Sequence, residues 1–92
     1  MPTAYEILKK RFMEPLGLSS NRVAKEIHVP VSRILEILYG RRRISPDTSI
    51  RLGRLFGVAD DYFLILQGKD DMKRLDEKLE DELVQIRNIR KG

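Results

Sequence analysis

Three consecutive arginines, Arg41, Arg42 and Arg43, follow directly on a segment, Val31 to Tyr39, whose side chains sort by type around a helix. Arginine is a permanent cation with a planar fork of donors, suited to phosphate oxygens and to the edge of guanine. At about 100° per residue, Ile34, Ile37 and Leu38 fall on one side, and Val31, Ser32, Leu35, Glu36 and Tyr39 on the other. The first group reads as a core stripe. The second carries two large side chains, Leu35 and Tyr39, that would be wasted on water alone. Exposed apolar area is ordinary in proteins, so it is the position of this face, between a helix-turn and an arginine cluster, that points to DNA.

The roles divide by chemistry. Ser20, Asn21, Arg22, Tyr39, Arg41, Arg42 and Arg43 are assigned to phosphate positioning. Ser32, Arg33 and Glu36 are candidates for base edges, and Val31 and Leu35 offer apolar contact to thymine methyls. Arg33 sits at the edge of the outward face. For Glu36 an i,i+3 salt bridge back to Arg33 competes equally with base contact. Arg51 and Arg54 read as solvated surface. Catalysis has no comparable support: the single histidine, His28, lies in a turn, there is no cysteine, and no metal-ligand spacing occurs. The acidic pairs Asp60-Asp61 and Asp70-Asp71 read as helix-start residues. No enzyme activity, metal or cofactor is expected.

The elements that must hold these residues can be read from capping and periodicity. Thr3 and Glu6 fit a capping box, opening a helix that carries Ile7, Leu8 and Phe12 inward and stops before Pro15. Ser19 caps a second helix with Val23, Ala24 and Ile27 inward. Val29-Pro30 interrupts it, since proline lacks an amide hydrogen and biases its predecessor away from helix. Helix resumes behind Pro30, and Gly40 ends it. Ser45-Pro46 starts a fourth helix presenting Ile50, Leu52, Leu55 and Phe56, closed by Gly57. Asp60 is expected to cap a short fifth helix, buried on most sides and ended by Gly68. Two short helices with a tight turn, from Leu18 to Ser45, suit a reader of the DNA major groove.

Ninety-two residues make one small domain with an appended element, and a thin core that dimerisation would supplement. Residues 1–68 hold 11 Lys/Arg against 7 Asp/Glu and carry the whole net charge of +4, whereas residues 69–92 hold 7 of each. Between residues 18 and 54, eight bases face Glu26, Glu36 and Asp47, which is the electrostatic footprint of phosphate binding. In residues 69–92, Met72, Leu75, Leu79, Leu83, Ile86 and Ile89 draw an apolar stripe along an expected sixth helix for dimer or partner contact. No apolar run approaches the roughly 20 residues of a membrane span. Charges near the N-terminus interrupt any signal-peptide core. Absence of cysteine suits a reducing cytoplasm.

From about Tyr5 to Gln67, and most tellingly in the runs EILKKRFMEPLGLS, VPVSRILEILYGRRRIS and DTSIRLGRLFGVADDYFLILQ, the chain closely resembles the Xre/Cro-type helix-turn-helix family, and within it the HigA/VapI-type antitoxins of toxin–antitoxin modules. No strand pattern occurs, so the expected fold is all-α: a five-helix domain over 1–68, which the resemblance makes phage-repressor-like, followed by a C-terminal amphipathic helix over 69–92 that is read from periodicity and lies beyond the matching region. The resemblance also implies a homodimeric repressor on a palindromic operator in double-stranded DNA, autoregulating its operon and neutralising a cognate RelE-like ribonuclease toxin. By family motif, Ser20 and Asn21 should bond phosphates, Val31, Ser32 and Arg33 open the recognition helix, and Tyr39 and Arg42 contact the backbone behind it. Two positions depart from many relatives. Val31 stands where glutamine is frequent, so an amide contact to adenine is replaced by contact to a thymine methyl, and His28 stands where glycine is usual in the turn. A stand-alone repressor, or an interaction module acting through the terminal helix, are the alternative readings.

Overall fold

Thr3 begins the first helix as its spacing predicts: its hydroxyl accepts from the Glu6 amide at 3.3 Å and donates to the Glu6 carboxylate. In this computed structural model, which describes residues 2–91, α1 (Ala4–Ile7) passes directly into a π-helical segment (Leu8–Met13). The i→i+5 ladder of a π-helix is wider than an α-turn, and here it brings both Leu8 and Met13 into the core. Gly17 turns the chain at φ 64° into α2 (Ser20–Ile27), whose first turn is capped by Ser19 through the Arg22 amide.

The turn between α2 and α3 (Val31–Leu38) is built on His28 at φ 62°, the one non-glycine in the left-handed region among the described residues. Histidine tolerates that region better than most side chains, and the amides of His28 and Val29 return to the carbonyls of Lys25 and Ala24. Such paired returns satisfy carbonyls that the helix end leaves open. Pro30 then leads into α3. Ser45 caps α4 (Pro46–Phe56) with Pro46 at its first position, and Gly57 closes it at φ 69°.

α5 runs from Tyr62 to Leu83 without a break. The expected stop at Gly68 and the separate sixth helix are therefore corrected: one helix of 22 residues carries both segments, and α-helix gives way at Leu83, so Ile86 and Ile89 lie beyond it. A short 3-10 turn (Ile89–Lys91) follows. Asp60 does not cap α5 either. Asp61 occupies the cap position without a side-chain bond, while the Asp60 carboxylate is drawn to Arg54 at 2.9 Å.

Val23, Ala24, Ile27, Ile34, Ile37, Ile44, Leu52 and Phe63 join Leu8 and Met13 in one buried cluster. Phe12 stands against Phe56, Tyr62 and Phe63 with centroids 5.1 to 5.7 Å apart, tying the end of the first helix to α4 and α5. Tilted and edge-on ring pairs of this spacing add to the area they bury. Two expected core positions are not core. Ile50 is exposed, and of the run opening α5 only Phe63 is fully buried, with Ile65 49% exposed. Beyond Asp71 the helix leaves the globule, which stretches the molecule to 53 Å against 22 Å in its other dimensions. Met72, Leu75 and Leu83 are exposed along it. Among the described residues no helix is long and apolar enough to cross a membrane.

Candidate nucleic-acid interface

α3 is seated by Ile34 and Ile37, which are 0 and 1% exposed, and by half-buried Leu38. That fixes the rotation of the helix and turns the opposite side outward. Val31, Ser32 and Leu35 are exposed there, and Tyr39, just past the helix, is 71% exposed. Val31, Ser32 and Leu35 therefore make an outward surface little more than one turn long. Asn21 and Arg22 are exposed at the start of α2, and Ser20 is half-buried beside them.

The end of α3 is shaped by its C-cap. Gly40 at φ 73° donates to Ile37, and the amides of Arg41 and Arg42 both reach the Glu36 carbonyl, at 2.8 and 3.2 Å. The turn that results sends the three arginines off the helix axis. A Cβ at Gly40 would come within 3.4 Å of the Tyr5 ring, so α1 packs closely against this corner. The Arg41 guanidinium lies 5.8 Å from the centre of the Tyr39 ring, within cation–π range.

Several arginines are held by carboxylates. Arg42 pairs with Glu36 at 3.3 Å and Arg22 with Glu26 at 3.1 Å. Arg33 is half-buried and drawn back to Asp47 at 3.4 Å, so the Glu36–Arg33 bridge weighed against base contact does not form and two other pairs take its place. Pairs this exposed contribute about 0–1 kcal/mol each, little enough for a phosphate to displace. Arg43 is engaged more fully, by both oxygens of Asp71 at 3.1 and 2.5 Å. That hydrogen bonding holds the Asp71 carboxyl below the usual carboxylate range and pushes the Arg43 guanidinium up.

Arg51 and Arg54, expected as solvated surface, have structural partners. Arg51 Nη1 donates to the Ile27 carbonyl at 2.8 Å, closing the end of α2, while its Nε reaches Asp47. Arg54 holds Asp60, whose carboxyl is lowered by that hydrogen bond. The Arg51–Asp47 pair is an i,i+4 contact within α4 that helical spacing offers, whereas the bonds of Arg51 to Ile27 and of Arg54 to Asp60 leave the helix and could not be read from periodicity. Among the described residues no His/Cys/Asp/Glu group is disposed to hold a metal ion.

A helix-turn-helix family model matches residues 9–63, more than half of the chain. The chain belongs to the helix-turn-helix family. This Xre-like helix-turn-helix protein is 43% identical over 68 residues to virulence-associated protein I of Dichelobacter nodosus, which covers 74% of the chain and 63% of that relative. The chain thus spans less than two thirds of the relative's length. An addiction module antidote protein of the HigA family from Coxiella burnetii superimposes with a TM-score of 0.84 at 30% identity, covering 95% of this chain and 96% of that one. The Pseudomonas aeruginosa antitoxin HigA, solved with the higBA promoter, gives 0.85 at 24% identity over 96% and 97%. The helix-turn-helix protein therefore has the all-helical fold of the HigA antitoxins.

Proposed function

We propose that the chain is a sequence-specific DNA-binding antitoxin that represses its own operon as a homodimer and neutralises a cognate RelE-like ribonuclease toxin. The observation that carries the DNA reading is the outward side of α3. Val31, Ser32 and Leu35 stand free on a helix whose other side is locked into the core, directly ahead of the exposed Arg41 and Arg42. A helix presented in this way enters the major groove, with its first residues at base edges and its flanks at phosphates. The likeness to a HigA antitoxin solved with promoter DNA supports the reading.

Base contacts fall to Ser32, with Val31 and Leu35 against thymine methyls and Glu36 and Arg33 at the margin. Phosphate contacts fall to Ser20, Asn21, Arg22, Tyr39, Arg41 and Arg42. A palindromic site needs two copies related by a dyad, and the unpartnered side of α5, with Met72, Leu75 and Leu83, is the surface offered to the second. The toxin reading rests on the antitoxin relatives alone.

Fluorescence anisotropy with the chain's own upstream DNA, against a scrambled duplex across a salt series, tests this. A preference of about a thousandfold at physiological salt is expected of a specific repressor, lost in Ser32→Ala. Equal, weak binding that disappears with salt overturns the DNA reading. Preference for the upstream DNA without affinity for the product of a neighbouring small basic gene would leave a stand-alone repressor.

A further inference from the structure

The connector between α3 and α4 has no helix of its own, yet α5 pins it at Arg43 and Ile44. Gln67 Oε1 accepts from the Ile44 amide at 2.8 Å, and Gln67 Nε2 donates to the Ile44 carbonyl at 2.9 Å. One side-chain amide thus satisfies both main-chain groups of a residue that is 3% exposed. One turn further along α5, Asp71 takes the two-pronged contact from Arg43, and its Oδ1 also accepts from Arg74 at 2.8 Å. Between them Asp70 accepts the Ala4 amide at 2.6 Å, anchoring the first helix to the same stretch.

We propose that Gln67 and Asp71 are positioning residues for DNA recognition: they hold the connector so that Arg41 and Arg42 stand ready for phosphates, with Arg43 as a tether. This rests on the DNA-binding reading above. Phosphate contacts carry no sequence information directly but set the register in which α3 meets base edges. A connector free to wander would still attract DNA, since its charge is unchanged. It would lose register, and with it the preference for one sequence over another. Arg43 already has both its prongs on Asp71.

The test compares affinity for the upstream duplex with that for the scrambled one, in the full chain, well below each variant's melting temperature. Taking the ratio cancels the change in overall charge. Gln67→Met keeps the length of the side chain and loses both hydrogen bonds, and it should lower the ratio about tenfold. Gln67→Glu keeps only the acceptor for the Ile44 amide and should fall between. Asp71→Asn and Arg43→Ala, which alter a solvent-accessible pair and leave the core intact, should each lower the ratio by about threefold. Their double variant should be no lower than the worse single, as for two ends of one contact. An unchanged ratio in Gln67→Met overturns the proposal. So does a rise in the ratio with Asp71→Asn alongside a fall with Arg43→Ala, because Arg43 released from Asp71 would then serve recognition directly and not as a tether. Failure of the DNA reading itself would show separately, as a wild-type chain with no preference.

Discussion

Replacing Gly68 with alanine and, separately, Gly53 with alanine makes the same chemical change inside two helices, and the structure assigns opposite signs to the results. Gly68 lies inside α5 with nothing within 4 Å of an added Cβ. Alanine there should gain the intrinsic helix preference, roughly 0.5–1 kcal/mol. Gly53 lies inside α4, where a Cβ would come to 2.8 Å from the Ala59 carbonyl oxygen and 3.1 Å from that of Val58. Both neighbours are main chain, and the Val58 amide is itself bonded to the Gly53 carbonyl at 3.0 Å. That loop cannot yield without breaking its own hydrogen bonding. Overpacking of this kind costs about 1–3 kcal/mol, and with contact this short the upper part of the range applies. After the propensity gain, Gly53→Ala should be destabilised by about 1–2 kcal/mol.

At about 4–8 °C per kcal/mol for a domain this size, Gly68→Ala should melt about 4 °C above wild type and Gly53→Ala about 8 °C below. Circular dichroism melts at one fixed protein concentration measure this, since any self-association makes the midpoint depend on concentration. A Gly68→Ala variant that melts below wild type would refute a continuous α5 and restore a break at residue 68. It would also remove the rigid element on which Gln67 and Asp71 stand. A Gly53→Ala variant as stable as wild type would refute the close approach of the Val58–Ala59 loop.

His28→Val should lower stability by about 1–2 kcal/mol, because a β-branched residue is strained in the left-handed region, while His28→Gly should not; denaturant midpoints distinguish them. Asp71 has its carboxyl lowered by the Arg43 hydrogen bond, so the folded value lies below the unfolded one. The stabilisation is then present above the unfolded value and is lost as pH falls through the folded one. The melting difference between wild type and Asp71→Asn should accordingly be present at neutral pH and close below about pH 4. Leu75 is 51% exposed on α5, so Leu75→Glu should leave the monomer folded and shift sedimentation from dimer to monomer. A wild type that sediments as a monomer would refute the use of that side for self-association.

The helix-turn-helix itself was legible from local signals: Ser19 and Ser45 as caps, Val29-Pro30 as interruption, and Gly40 and Gly57 as stops. Each acts within a turn of its own position, which is the range over which capping operates. The core side of α3 was legible too, because three apolar residues at helical spacing admit one rotation. The placements of Ile50, Asp60, Arg51 and Glu36 were not. Ile50 faces outward because α4 seats on Leu52 and Gly53, and Arg51–Ile27, Arg54–Asp60 and Arg42–Glu36 each depend on where the chain goes after a helix ends.

Gly68 shows how the longer-range contacts overrule the local signal. Taken alone it is a helix stop, and keeping it helical costs roughly 1 kcal/mol. On either side, however, α5 side chains make bonds that need its turns in register. Gln67 holds both main-chain groups of Ile44 just before the glycine, and Asp70 and Asp71 hold the Ala4 amide and Arg43 just after it. A net gain of about 1 kcal/mol for each such bond exceeds what the glycine opposes. If the helix ended at residue 68, either Gln67 or the aspartates would be turned away, and the connector would lose one of its two anchors. The contacts that carry α5 through Gly68 are thus the same ones that place the arginine connector beside α3, so the continuity of that helix and the shape of the surface proposed to meet DNA stand or fall together.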